Sequence, residues 1–552
     1  MSLSTINDRL DLVDEMIHYP ELRQNIVKLL EQTYDTLRLV TKFTLGRGDA
    51  DDLIELSKTI LITADIITFL QEHTKTRKSA EQGPDETTAD GRRQPLLALE
   101  RRAQISEPLK LAKRIHDAID EEGLSEQHRV EDDEAAAMES LAQDVLGREA
   151  GEEDLKKMPK RIQPKPHAIT PSFRGPTDGR DDIWIMKSTA SATLGRLHST
   201  LNSMNEEKTR LEQELRNELG ADSLTLKWTP NLAHIAHVKG KDVSRVKSHY
   251  PKSLSSSKST RSFQIPEWTK LGTQLDETRF RIRREEQKVL TAIREDVVRN
   301  LVKLRRNAAV LDELDVACAF AALASEKGFV RPVLNTGVSH HIIGGRHPVV
   351  ESGLGEQGRK FTANDCLIGS PERIWLITGP NMAGKSTFLR QNALISILAQ
   401  TGSFVPAEYA EIGLVDKVFS RVGSADNLYQ DQSTFMVEML ETAVILKQAT
   451  ERSVVIMDEV GRGTTPEDGV AVGYACLHHL YHVNKCRTLF ATHFHKLADM
   501  TKGFEELGCY CNDVAEEEDG TFSYVYRLRK GVNRRSHALK VARVAGKYSS
   551  LV

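Results

Sequence analysis

Gly379-Pro380-Asn381-Met382-Ala383-Gly384-Lys385-Ser386, followed by Thr387, fits the pattern GxxxxGK[ST]. That spacing serves phosphate binding. Glycines let backbone N–H groups close around phosphate oxygens at the positive end of a helix. Lys385 would reach the outer phosphates and Ser386 would offer its hydroxyl to magnesium, so ATP with Mg2+ is the implied ligand. A second signal is Ser453-Val454-Val455-Ile456-Met457-Asp458-Glu459, an apolar run ending in two adjacent carboxylates. Alone, such a run only marks a strand leaving the core. Downstream of a phosphate loop, Asp458 is expected to hold the magnesium shell and Glu459 to orient or deprotonate the attacking water. A third is His493, just past the apolar run Thr488–Ala491. It would contact the γ-phosphate or its water, or else be a simple hydrogen-bonding residue at a strand end.

These residues need a sheet to position them. Ile374–Ile377, Val454–Met457 and Thr488–Ala491 read as short buried strands alternating with helical stretches such as Phe388–Gln400. That pattern predicts an α/β layer with a mainly parallel sheet from Ile374 onward. Upstream the chain reads as helical. Residues 5–70 carry apolar residues near helical spacing, interrupted by Gly46-Arg47-Gly48-Asp49, with Asp49 as the N-cap of the helix after the break. Residues 74–97 read as a polar loop, 117–156 as an acidic solvated helix face or tether, and 158–180, with five prolines, as a linker or surface excursion.

Two long amphipathic helices come next. One carries Leu194, Leu197, Leu201, Met204, Leu211, Leu215 and Leu219; the other runs from Leu275 through Ile282, Val289, Ile293, Val297, Leu301, Leu304 and Ala308 to Leu311. Near-heptad spacing predicts an antiparallel pair. Between them, Leu224–Trp228 and Ile235–Val238 read as strands, a small tip on a lever. From Lys239 to Arg261 that tip carries Lys239, Lys241, Arg245, Lys247, Lys252, Lys258 and Arg261 against a single acid, Asp242, with serines interleaved. At a flexible tip this suits contacts to nucleic-acid phosphates that carry no base information; a disordered, solubilising loop is the open alternative.

The bulk composition agrees with a multidomain chain and excludes little else. The 552 residues are 39% hydrophobic and 28% charged, with a net charge of −4, so any nucleic-acid contact must rest on local positive charge. Cys318, Cys366, Cys476, Cys486, Cys509 and Cys511 form no CxxC pair, which argues against a zinc site or a disulfide framework. No apolar run approaches a membrane span. Met1–Leu12, with Asp8 and Asp11, reads as an amphipathic helix rather than a targeting segment.

The phosphate loop Gly379–Thr387, Asp458-Glu459-Val460-Gly461-Arg462-Gly463-Thr464 with Asp468-Gly469, and Phe490-Ala491-Thr492-His493 resemble the MutS family of mismatch repair ATPases. So do Ser433-Thr434-Phe435-Met436-Val437-Glu438-Met439 and Gly345-Arg346-His347-Pro348-Val349-Val350-Glu351, all in family order. Ser420–Tyr429, Cys486–Phe490 and Ser536-His537-Ala538-Leu539 look most like the fungal mitochondrial branch. The resemblance implies a mainly α-helical core and lever region with a small β clamp tip, then an α/β P-loop ATPase domain of ABC type. The corresponding domains are residues 1–193, 194–325 with the clamp at about 221–272, and 330–552.

It further implies double-stranded DNA as partner and dimerisation through the ATPase domain, with Ser433, Thr434, Phe435 and Met436 facing the partner's nucleotide. Phe361, twenty residues before Asn381, would stack on adenine; without the resemblance it reads as core. A mitochondrial address is implied by the branch, with the nucleus as alternative. Ala383 and Asp431 stand where relatives commonly have Gly, as does Ala538. Ala383 fits the loop only with φ negative. No Phe-x-Glu mismatch wedge precedes the helical core, and the sequence stops before the family's C-terminal helices. The leading expectation is therefore a truncated mismatch repair ATPase and clamp. The alternatives are a tethering or recombination-type relative, and a fragment unable to complete a dimeric site.

Overall fold

A computed structural model describes residues 2–81, 95–149, 183–229, 231–250, 252–257, 259–380, 383–422, 434–516 and 522–534. The expected excursion at 158–180 lies outside them, as do Lys258, Asn381, Met382, Asp431, Ser433 and Ser536–Leu539. The chain forms two compact units, one of residues 31–69 and 102–310, the other of residues 1–30, 70–101 and 311–552. Packing thus departs from three domains in simple chain order, because the N-terminal helices gather with C-terminal residues.

In the first unit, the Gly46–Asp49 break is closed by a reciprocal cap. Asp49 Oδ1 accepts from the Asp52 amide at 2.9 Å and Asp52 Oδ2 accepts from the Asp49 amide at 3.2 Å. The helix so started, Ala50–Glu81, extends into the stretch expected as a loop at 74–97; from Leu70 on it is counted in the second unit, as is most of the next helix, Pro95–Arg102, which Pro95 opens. Thr74–Glu81 contains neither Gly nor Pro, so nothing stops the helix there. The acidic stretch forms the helix Glu121–Glu149, with Glu131, Asp132, Asp133 and Glu139 exposed.

The lever helices Ala192–Leu219 and Pro266–Arg299 pack antiparallel through one apolar core that includes Leu201, Leu215, Leu275, Ile282 and Ile293. The second stripe, expected as one helix, is two. Asn300 separates Pro266–Arg299 from Leu301–Lys327, and its Nδ2 donates to the Asp296 carbonyl at 2.9 Å beside its own backbone amide.

At the tip, β1 (Thr225–Thr229), β2 (Ala233–Lys239), β3 (Ser255–Ser256) and β4 (Thr260–Phe263) form an antiparallel sheet in the order β1-β2-β4-β3. The basic stretch is structured rather than one flexible loop. It holds the helix Asp242–His249, seated by buried Val246.

The second unit contains β5 (Val333–Asn335), β6 (His340–Gly345), β7 (Asn364–Ile368), β8 (Ile374–Thr378) and β9 (Tyr409–Gly413). It also holds β10 (Val418–Arg421), β11 (Val454–Asp458), β12 (Arg487–Thr492), β13 (Leu507–Glu516) and β14 (Phe522–Lys530). The main sheet runs β10-β11-β12-β8-β13-β14, parallel except for β14; a smaller sheet runs β5-β9-β6-β7. Every residue of β8, β11 and β12 is buried, as expected of a parallel sheet covered on both faces. Buried Arg487 joins the two sheets: its guanidinium donates to the carbonyls of Gly413 at 2.9 Å and Arg452 at 2.6 Å. Among the described residues no helix is long and apolar enough to cross a membrane, and no cysteine is in a disulfide.

Candidate active site

Strand register brings the sequence signals together. Thr378 of β8 pairs with Thr492 of β12, and Ala491 of β12 pairs with Asp458 of β11. Three parallel strands therefore end level, and Gly379, His493 and Glu459 are the first residues beyond them. The carboxyl edge of such a sheet is where ligands of α/β proteins sit.

The loop after β8 turns into the helix Lys385–Thr401 through Gly384, whose φ of +88° favours glycine. A Cβ there would stand 3.2 Å from the Tyr526 ring. Ala383, which stands where relatives commonly have glycine, is buried. The buried Lys385 ammonium donates to the Gly379 and Pro380 carbonyls at 2.8 and 2.9 Å and lies 4.0 Å from Glu459 Oε1. Burial lowers its pKa, and the neighbouring Glu459 and Asp458 oppose that shift.

Ser386 donates its hydroxyl to Asp458 Oδ2. Asp458 Oδ1 is buried with no hydrogen-bond partner among the described residues. Burial raises the Asp458 pKa and the adjacent Glu459 adds to the rise, against the Ser386 hydrogen bond and the Lys385 charge.

Glu459 has φ of +53°, its amide donates to the Ala491 carbonyl at 2.9 Å, and Arg462 Nη1 lies 2.7 Å from its Oε2. The left-handed conformation is rare for a residue with a Cβ and turns the carboxylate off the strand axis. His493 lies within reach of the Glu459, Lys385 and Arg462 charges but outside the lining of the cavity that the others share. It is exposed, and its ring lies 4.0 Å from that of Phe494. Its pKa is lowered, first by loss of hydration, with the Lys385 and Arg462 charges adding and Glu459 opposing.

That cavity encloses about 920 Å³. Lys385, Ser386, Thr387, Asp458 and Glu459 line it, as do Val350, Leu354, half-buried Phe361 and Tyr526, whose ring stands beside Gly384. Asn364 ties β7 to β14 behind Tyr526, donating to its carbonyl at 2.9 Å and accepting from the Leu528 amide at 2.8 Å. Sequence reading passed over Tyr526, which sits in no motif. It gave no role to Arg421 or Glu438, cavity residues within quoted stretches, and Arg421 had no signal beyond its neighbours. Of the partner-facing segment, Thr434 opens the helix Thr434–Gln448, Phe435 packs toward Gly463 and Met436 is exposed.

At the tip, Lys239, Lys241, Arg245, Lys247 and Lys252 are exposed. Asp242 turns inward, accepting from the Ser223 hydroxyl at 2.7 Å and amide at 3.0 Å, and its Oδ1 lies 3.6 Å from Arg245 Nη1, so it offsets one of the outward cations. Arg261 departs from the expected phosphate-contact set: it is buried, and Nη2 donates to the Tyr250 carbonyl at 2.7 Å. It faces inward because, on β4, it belongs to the covered run Arg261-Ser262-Phe263.

A loop between a buried parallel strand and a helix, with carboxylates at the end of a nearby strand and a cavity between them, makes this part of the chain an α/β domain with its cavity at the carboxyl edge of the sheet. The chain belongs to the MutS family: residues 1–321 match MutS domain III and residues 375–552 match MutS domain V. It is 39% identical over 390 residues to the DNA mismatch repair protein MutS of Rickettsia akari, covering 70% of this chain and 44% of that protein. The protein of the same name from Rickettsia massiliae is 40% identical over 375 residues, covering 67% and 42%. That of Azorhizobium caulinodans is 50% identical over 266 residues, covering 47% and 28%. The chain spans less than half the length of each of these relatives.

Proposed function

We propose that this chain is the ATP-hydrolysing and DNA-clamping part of a mismatch repair protein. The observation that carries the ATPase reading is Asp458, buried beside the phosphate loop with one oxygen held by Ser386 and the other without a partner among the described residues. That donor set fits Mg2+: Asp458 and the Ser386 hydroxyl would hold the ion, which when bound neutralises phosphate charge. Lys385 would exchange two carbonyls for the outer phosphates, Glu459 would orient the attacking water, and His493 would reach that water or the γ-phosphate. Phe361 and Tyr526 would receive the base. The chain should hydrolyse ATP with magnesium and not in excess chelator; equal rates in both would overturn the magnesium site.

The same reading makes the ATPase domain a dimerising one, with Ser433–Met436 presented to the partner's nucleotide, and takes the mitochondrion as its compartment on the resemblance of Ser420–Tyr429 and Cys486–Phe490. At the tip, the exposed cations suit duplex phosphates. Converting Lys239, Lys241, Arg245 and Lys247 to Glu should weaken binding to all duplexes alike. It should also flatten the dependence of log affinity on log salt by about 0.9 for each phosphate left without its cation. Titrations of matched and mismatched duplexes at several salt concentrations decide this. Salt-independent binding overturns the clamp, and a strong mismatch preference overturns a tip that reads only the backbone.

A further inference from the structure

Glu438 and Arg421 are both buried, at 5% exposure each, beside the nucleotide cavity. Burying two charges is rarely repaid in stability, so a buried pair points to a task other than holding the fold. Glu438 Oε1 accepts from the Gly461 amide at 2.6 Å. Its Oε2 lies 3.7 Å from Arg421 Nη2, and Arg421 Nε lies 3.1 Å from Glu441 Oε2.

Gly461 is two residues past Glu459, on a loop built from unusual backbone. Glu459 has φ of +53° and Gly461 φ of +87°, with fully buried Val460 between them. The loop is fastened in front by the Glu459 amide on the Ala491 carbonyl and behind by the Gly461 amide on Glu438. A Cβ on Gly461 would come within 2.6 Å of the Gly469 carbonyl, so the loop also abuts the helix Pro466–His479.

We infer that Glu438, pinned by Arg421, is a positioning residue for hydrolysis: it holds the Gly461 amide and thereby aims the Glu459 carboxylate at the attacking water. The inference rests on the ATPase reading above. Without the acceptor, Gly461 is free to rotate and the loop keeps only the Glu459 amide on the Ala491 carbonyl and the longer Arg462 amide bond to the Glu459 carbonyl, at 3.3 Å, among the backbone bonds described. A displacement of about 1 Å in a catalytic group can cost about 10²-fold in rate. Binding should be spared, because neither residue bonds to Lys385 or Ser386.

The test compares steady-state hydrolysis, ATP affinity and thermal melting of the full chain with those of Glu438→Ala, Glu438→Gln and Arg421→Gln. Glu438→Ala should lower kcat by about 10-fold or more with KM and ATP affinity within about 3-fold of the parent. Glu438→Gln keeps an oxygen for the Gly461 amide and should recover most of that loss. Should Glu438→Ala fail to fold, Arg421→Gln carries the test, since it frees Glu438 while leaving the acceptor in place; it too should lower kcat and not KM. Parental kcat in the folded variants, a loss of affinity matching the loss of rate, or a glutamine variant no better than alanine overturns the inference. A parent that binds no ATP overturns the ATPase reading itself.

Discussion

Lys385→Ala abolishes detectable ATP binding, the largest effect expected of any single substitution in this chain. The Lys385 ammonium is buried and held by two loop carbonyls, poised over the place where the outer phosphates would lie. Replacing it leaves those phosphates facing carbonyl oxygens with no cation between them. Removing one partner of a buried charged contact costs about 2–5 kcal/mol, which is about 30-fold to several thousand-fold in affinity. The hydrophobic strands that carry the loop are untouched, so circular dichroism of the variant should match the parent. Titration with a fluorescent ATP analogue checks the claim; parental affinity in the alanine variant removes Lys385 from the site.

Glu459→Gln should separate binding from turnover. The amide has the shape of the carboxylate and can occupy the same place beside Arg462, but it cannot take a proton from water. ATP should therefore bind with near-parental affinity while hydrolysis falls by about 10²-fold or more, the scale for losing a positioned base. Single-turnover measurement isolates the chemical step. Hydrolysis at the parental rate would assign the catalytic role to another group, with His493 the next to examine because it feels the same charges.

Much of the α/β layer was legible because its signals are local. The runs at Ile374, Val454 and Thr488 are strands, and the glycine-rich loop joins β8 to a helix as its spacing required. What escaped is non-local. Tyr526 reaches the cavity from β14 through a positive φ of its own, and neither its strand nor its neighbours carry a motif. Glu438 meets the Gly461 amide only because its helix packs beside the loop after β11, 23 residues further on, with Arg421 at the end of β10 3.7 Å from the same carboxylate. At the tip, charge counting treated all cations alike. It could not see that Arg261 faces inward to the Tyr250 carbonyl or that Asp242 is held by Ser223 beside Arg245. The break at Asn300 was hidden for a different reason: apolar spacing runs through it, and the Asn300 side-chain amide only adds a second donor to the Asp296 carbonyl, which keeps its ladder bond from the Asn300 backbone amide.

The positive φ at Glu459 bears on how this sequence would age without selection on its chemistry. Holding a residue with a Cβ in the left-handed region costs about 1–2 kcal/mol, which glycine would largely recover and asparagine in part. A duplicate gene copy released from hydrolysing ATP would therefore gain stability by losing this carboxylate, and neutral drift would favour that exchange. A glutamate at position 459 is thus a marker that can be scored in any related reading frame: its replacement by glycine or asparagine would flag a decaying copy that still folds.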